Sequence, residues 1–151
     1  MKTFTRQKVV DIARSLLGWK YQHQGRGNLQ TVDCIGLLTV VADRLGYKYT
    51  DLESYRRTPA ANKLYELLCE NLDEIPLSEV GIGDIFLLRL GGIKPRHTAF
   101  KASDVTDIEK GLQPTMIHAL NTPSINSVVE QPIELYRGQL CKGFRLRGIK
   151  I

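Results

Sequence analysis

No run of apolar residues in this 151-residue sequence is long enough to span a membrane, and no leader-type apolar core with a small-residue cleavage site follows Met1-Lys2-Thr3-Phe4. The expectation is a chain without a signal peptide or membrane insertion, cytoplasmic when made. Cysteine is scarce as well. Cys34, Cys69 and Cys141 are odd in number and far apart, which argues against both a disulfide framework and a CxxC metal site. The three histidines, His23, His97 and His118, form no short ligand pair such as HxxxH, so no metal and no cofactor is expected. Internal repeats, low-complexity tracts and linkers are missing too, and residues 1–151 read as a single domain.

What the sequence does contain is ordinary for a folded protein. Hydrophobic residues make up 42% and charged residues 25%, and a chain of this size buries roughly two-thirds of its unfolded surface without cross-links. The formal net charge of +5 favours an anionic partner, for which nucleic acid and acidic cell-wall polymer both qualify. The densest basic group, Lys142, Arg145, Arg147 and Lys150, comes with no nucleic-acid motif, so nucleic acid is not the expected partner.

Periodicity divides the chain in two. Thr5 is placed to cap a helix whose Val9, Ile12, Ala13, Leu16 and Leu17 share a face, with Phe4 and Val9 as a hydrophobic staple and Gly18 as the stop. The stretch from Trp19 to Val32 is rich in Gly, Gln and Asn and reads as an exposed loop. Asp33 then caps a second helix carrying Cys34, Leu37, Leu38, Val41 and Leu45 on its apolar stripe, ended by Gly46. Beyond the polar Tyr55-Arg56-Arg57, a third helix is expected from about Pro59 to Asn71, with Ala61, Leu64, Leu68 and Leu72 inward. After it the pattern shortens to strand-like runs: Ile85–Leu88, Thr98–Phe100, Met116–Ala119, Val128-Val129 and Gly143–Leu146. Helices first and strands after predict an α+β fold, with N-terminal helices packed on a mostly antiparallel sheet of about five strands.

In that arrangement Cys34 occupies the first turn of a helix, where unpaired N–H groups and the macrodipole favour a thiolate. A cysteine hydrolase also needs a base within reach and a third group that orients it. His97 opens one predicted strand and His118 lies in another, so neighbouring strands can bring both imidazoles to the helix terminus. Spacing permits this arrangement, and it equally permits Cys34 to be a small core residue. Cys69, among leucines, and Cys141, at the start of the last strand, read as structural.

A set of short motifs in a fixed order adds to this. Gly18-Trp19-Lys20-Tyr21, Asp33-Cys34-Ile35-Gly36-Leu37, Gly83-Asp84-Ile85-Phe86, His97-Thr98-Ala99-Phe100 and Ile117-His118-Ala119 together resemble the NlpC-type (NlpC and p-sixty) cell-wall peptidases, papain-like enzymes that cut peptidoglycan stem peptides. The resemblance covers nearly the whole chain. Lys20-Tyr21-Gln22-His23-Gln24 and the Asp-Cys-apolar-Gly-Leu form look like the phage-associated branch of that family, which makes His23 a branch feature.

The resemblance implies roles. Cys34 is the nucleophile, His97 the proton donor to the leaving amine, and His118 the residue that orients His97. The backbone N–H of Cys34 is one oxyanion donor, and a donor of this kind is commonly worth about 3 kcal/mol of barrier. Tyr21 and Asp33 match substrate-lining positions, although Asp33 is equally explained as a helix cap and Tyr21 as a half-buried loop aromatic. Asp84 is expected to be a turn former. Ile35 stands where most members carry serine, a residue that can help to recognise an amine, so cleavage beside a free stem-peptide amine is not implied. The Lys101–Thr115 connection is longer than a tight hairpin and reads as a tolerated surface insertion.

The implied activity is hydrolysis of the γ-D-glutamyl to diamino-acid bond of peptidoglycan, with the stem peptide as partner and phage tail proteins as the means of delivery. Two other readings share these residues: an antibacterial amidase toxin or acyltransferase with the same triad, and a non-catalytic wall-binding or tail module.

Overall fold

In a computed structural model of the chain, the structure describes residues 2–50, 61–90 and 95–151. Among the described residues, three α-helices, α1 (Arg6–Ser15), α2 (Cys34–Leu45) and α3 (Ala61–Asn71), accompany eight strands: β1 (Lys20–Tyr21), β2 (Thr31–Val32), β3 (Asp73–Ile75), β4 (Ile85–Leu88), β5 (His97–Ser103), β6 (Thr115–Asn121), β7 (Asn126–Pro132) and β8 (Leu140–Arg145). The sheet order is β2-β1-β7-β6-β5-β4-β8-β3. Every pairing is antiparallel except β1 with β2, which is parallel.

The predicted fold class therefore holds, and the strand count does not: eight replace about five. The three extra strands have two or three residues each and lack the alternation that marks longer strands. Two of them, β1 and β2, lie inside the stretch read as a loop. There the positive φ values of Gln24, Leu29 and Gln30 turn the chain back on itself, so that Lys20 pairs with Thr31 and Tyr21 with Val32.

The helices begin and end where the caps lie. The Thr5 hydroxyl accepts from the Lys8 N–H at 3.0 Å, and the Asp33 carboxylate accepts from the Gly36 N–H at 2.7 Å, each cap worth about 1 kcal/mol. Gly46, at φ +71°, closes α2 through bonds to Ala42 and Asp43. Burial on α1 falls on Val9, Val10 and Ala13, whereas Leu17, expected on the inner face, is 41% exposed because the helix has already ended. Helix α2 is buried on almost every side, not along a stripe. It is the central helix, pressed against β5 and β6. Leu64, Leu68 and Leu72 pack inward as expected, while Cys69 is exposed on the outer face of α3. The Tyr55–Arg57 stretch and the Pro59 start of the third helix lie outside the described residues.

The main core lies between the helices and one face of the sheet, where Phe100 and Ile117 meet Leu37, Val41 and Ile35. A smaller cluster of Phe86, Leu88, Ala99, Met116 and Ile133 covers the opposite face. Asp84, the turn residue, is fully buried. It accepts from the Gly81 N–H, pairs with Arg6 at 3.0 Å and takes both a 2.9 Å and a 3.1 Å bond from Arg145, so its charge is compensated where it is buried. This network ties α1 and the last strand to the start of β4.

Candidate active site

Helix α2 presents Cys34 in its first turn, and β5 meets that turn at its own first residues. The Thr98 hydroxyl donates to the Cys34 carbonyl at 3.2 Å, and the Cys34 thiol points at the Arg96 carbonyl oxygen, 3.9 Å away. That oxygen belongs to the peptide that leads into His97, so the thiol meets the residue just before β5 across 62 residues of sequence. The buried Thr98 and Phe100 are oriented by strand alternation toward the helices, which leaves His97 on the side of Ala99.

His118 reaches the same place from β6. Phe100 stands opposite Ile117, which puts His118 level with Ala99 and diagonal to His97 on one face. The small side chain of Ala99 leaves room for the two rings. His97 Nε2 and His118 Nδ1 are 2.8 Å apart, and the rings meet edge to face with centroids 5.0 Å apart. Both histidines are buried, at 7% and 0% exposure. The structure thus brings His97 and His118 into contact and places Cys34 against Arg96 and Thr98, the residues on either side of His97.

Electrostatics departs from the sequence expectation. A helix terminus favours a thiolate, but burial pushes the Cys34 thiol up to about 12, the charge of Asp33 adds to this, and hydrogen bonding from Thr98 opposes it. Burial also pushes His97 down to about 3, reinforced by the neighbouring His118. In the free protein both groups are neutral. The contact with Arg96 agrees, because a thiol can donate to a carbonyl oxygen and a thiolate cannot.

Asp33 lies beside Cys34 and is 2% exposed. Its Oδ1 accepts from the Gly36 N–H and from Arg26 Nη1 at 3.0 Å, and its Oδ2 accepts from the Gln24 N–H at 2.9 Å. The carboxylate therefore joins the helix start to the loop before it. Tyr21 stands opposite Val32, two residues before Cys34, and packs half-buried against the main core. Ile35 points away from the cluster, into an apolar space lined by Leu38, Leu68, Ile85 and Phe100. Cys141 is partly buried on β8 and Cys69 exposed on α3, both on elements outside the cluster.

Thr98, Arg26, Gln131 and Tyr136 escaped the sequence reading. The only sign of Gln131 was a polar residue two steps beyond the apolar Val128-Val129 run, and nothing in the sequence tied Tyr136 to a histidine.

Helices packed on a mostly antiparallel sheet, with Cys34 in the first turn of α2 and His97 and His118 on neighbouring strands, make an α+β architecture. More narrowly, the fold is that of the NlpC/P60 proteins. The chain superimposes on NlpC2 from Trichomonas vaginalis with a TM-score of 0.65 at 20% identity, over 93% of this chain and 46% of that one. NlpC1 from the same organism gives 0.63 at 19% identity, over 93% and 43%. A lipoprotein-like NLP/P60 family protein from Staphylococcus aureus gives 0.59 at 21%, over 93% and 41%. The chain spans less than half the length of these solved structures. No protein-family model matches the sequence, and no curated protein matches it.

Proposed function

We propose that this chain is a cysteine peptidase that hydrolyses peptidoglycan stem peptides, cutting between γ-D-glutamate and the diamino acid, and that it acts as part of a phage or prophage particle. The observation that carries the hydrolase reading is the placement of Cys34, in the first turn of α2, against the residues on either side of His97, which itself touches His118. The likeness of fold to NlpC/P60 proteins supports the wall substrate, and the Tyr-Gln-His-Gln stretch at Tyr21–Gln24 supports the phage-associated branch.

Because thiol and imidazole rest neutral, attack begins with proton transfer. As Cys34 Sγ bonds to the carbonyl carbon of the scissile amide, its proton passes to His97, which then delivers it to the leaving amine. The thioester left on Cys34 is hydrolysed by water, with His97 taking the water proton. Tyr21 lines the approach to the thiol. Asp33 holds the helix start and the loop together, and contact with a substrate amine would require Arg26 to give up its place.

Mass spectrometry of the products from purified peptidoglycan tests this reading. The expected result is new fragments ending in γ-D-glutamate with wild-type protein and none with Cys34→Ala. Unchanged release by Cys34→Ala would remove Cys34 from the nucleophile role.

A further inference from the structure

The hydrogen-bonded chain at the histidines does not stop at His118. His118 Nε2 lies 2.7 Å from Gln131 Oε1, and the Tyr136 hydroxyl lies 2.7 Å from the same oxygen. Gln131 is on β7, opposite Met116 and so two residues along β6 from His118, on the same face. Tyr136 comes from the 3-10 segment Ile133–Gln139, which Ile133 anchors by its burial, and its ring stands edge-on to His118 at 5.2 Å.

The geometry points to Gln131 and Tyr136 as positioning residues that fix the proton on His118 Nε2 and thereby leave His97 Nδ1 as the one bare nitrogen of the pair. A side-chain amide oxygen can only accept. Tyr136 donates to one lone pair of Oε1, and His118 Nε2 must donate to the other. A neutral imidazole protonated at Nε2 is bare at Nδ1, so the 2.8 Å contact between the rings is a donation from His97 Nε2 to His118 Nδ1. His97 Nδ1 is then free to take the thiol proton. Burial, which lowers the pKa of both histidines, keeps the pair in this neutral form.

Without the acceptor at position 131, His118 has no reason to prefer Nε2–H. In the alternative tautomer its Nδ1–H would face His97 Nε2, and His97 would carry its proton on Nδ1, where no thiol proton could be received. The aromatic hydroxyl of Tyr136 serves the amide in the same way, because an amide without that donor can turn its NH2 toward the imidazole.

The catalytic consequence rests on the reading above that Cys34 and His97 form a hydrolase site, while the tautomer itself does not. Side-chain nitrogen-15 NMR of the histidines, at a pH near 7, reads the tautomer directly. Wild type is expected to show His118 protonated at Nε2 and His97 protonated at Nε2. Gln131→Met, near in shape but unable to accept at that point, is expected to mix or reverse both. Muropeptide kinetics on the same variant is expected to show kcat down roughly 10–100-fold with KM little changed, the scale found when the outer partner of a functional histidine is removed. Tyr136→Phe keeps the ring and loses only the hydroxyl, and is expected to shift both readouts in the same direction by less.

A His118 protonated at Nδ1 in wild type overturns the inference, as do unchanged histidine spectra in a folded Gln131→Met or, should that variant not fold, in Tyr136→Phe. A tautomer that shifts in a protein unable to cut any muropeptide leaves the relay standing and removes the hydrolase reading. Active wild type with unmoved tautomers in the variants does the reverse.

Discussion

The carbonyl oxygen of Gly25 occupies the place where a Cβ on Gly36 would stand. The loop before Cys34 and the first turn of α2 thus touch backbone to backbone, and the Asp33 carboxylate, bound to the Gln24 N–H and to Arg26, holds them there. Gly36→Ala is expected to cost about 1–3 kcal/mol by overpacking. A urea melt within 0.5 kcal/mol of wild type would mean that the loop simply steps aside.

The resting protonation of the cysteines predicts their order of reaction. Cys69 is exposed, Cys141 partly buried, and Cys34 both buried and raised to about 12. Iodoacetamide at pH 6–7 should therefore modify Cys69 first and Cys34 last, as followed by peptide mass spectrometry. Modification of Cys34 ahead of Cys69 would show a thiolate in the free protein, with the helix terminus prevailing over burial.

Stability should depend on pH at both ends. The folded state refuses a proton on His97 until about pH 3, whereas the unfolded chain accepts it near 6.5, so stability is lost as pH falls from 6.5 toward 3. The Cys34 thiol, held to about 12 when folded, ionises near 9 when unfolded, so stability is lost again as pH rises from 9 toward 12. Scanning calorimetry across pH should show a shallower acid limb for His97→Asn and a shallower alkaline limb for Cys34→Ala than for wild type. Identical limbs would contradict the assignment.

Asp84 supplies a test far from the thiol. It is wholly buried and held by Arg6 and Arg145, so Arg145→Ala strands part of a buried charge and is expected to cost about 3 kcal/mol in denaturant unfolding. Arg137→Ala, which removes an exposed pair with Glu134, should change little. Equal effects would show that burial of Asp84 is not what gives Arg145 its importance.

These comparisons indicate what local sequence could and could not reveal. Thr5, Asp33 and Gly46 announced the helix ends because capping is a property of one turn, and the five longer strands announced themselves as short apolar or alternating runs. Strands β1, β2 and β3 did not, because two or three residues carry no period and pair only when the rest of the sheet is present. Cys34, His97 and His118 were singled out through short ordered motifs even though no family model matches the sequence. The protonation state was not legible. The helix terminus is visible in the sequence and favours the anion, but the burial that outweighs it is a property of the folded chain. Gln131 and Tyr136 were hidden for the same reason, since their partner is chosen by register across β6 and β7.

The bond between the Thr98 hydroxyl and the Cys34 carbonyl joins two parts of the chain that are made at different times. The thiol belongs to the first fifty residues, and both imidazoles arrive with the sheet that follows. A chain still emerging from the ribosome, or one that has opened, holds every chemical group of the proposed site and none of its geometry.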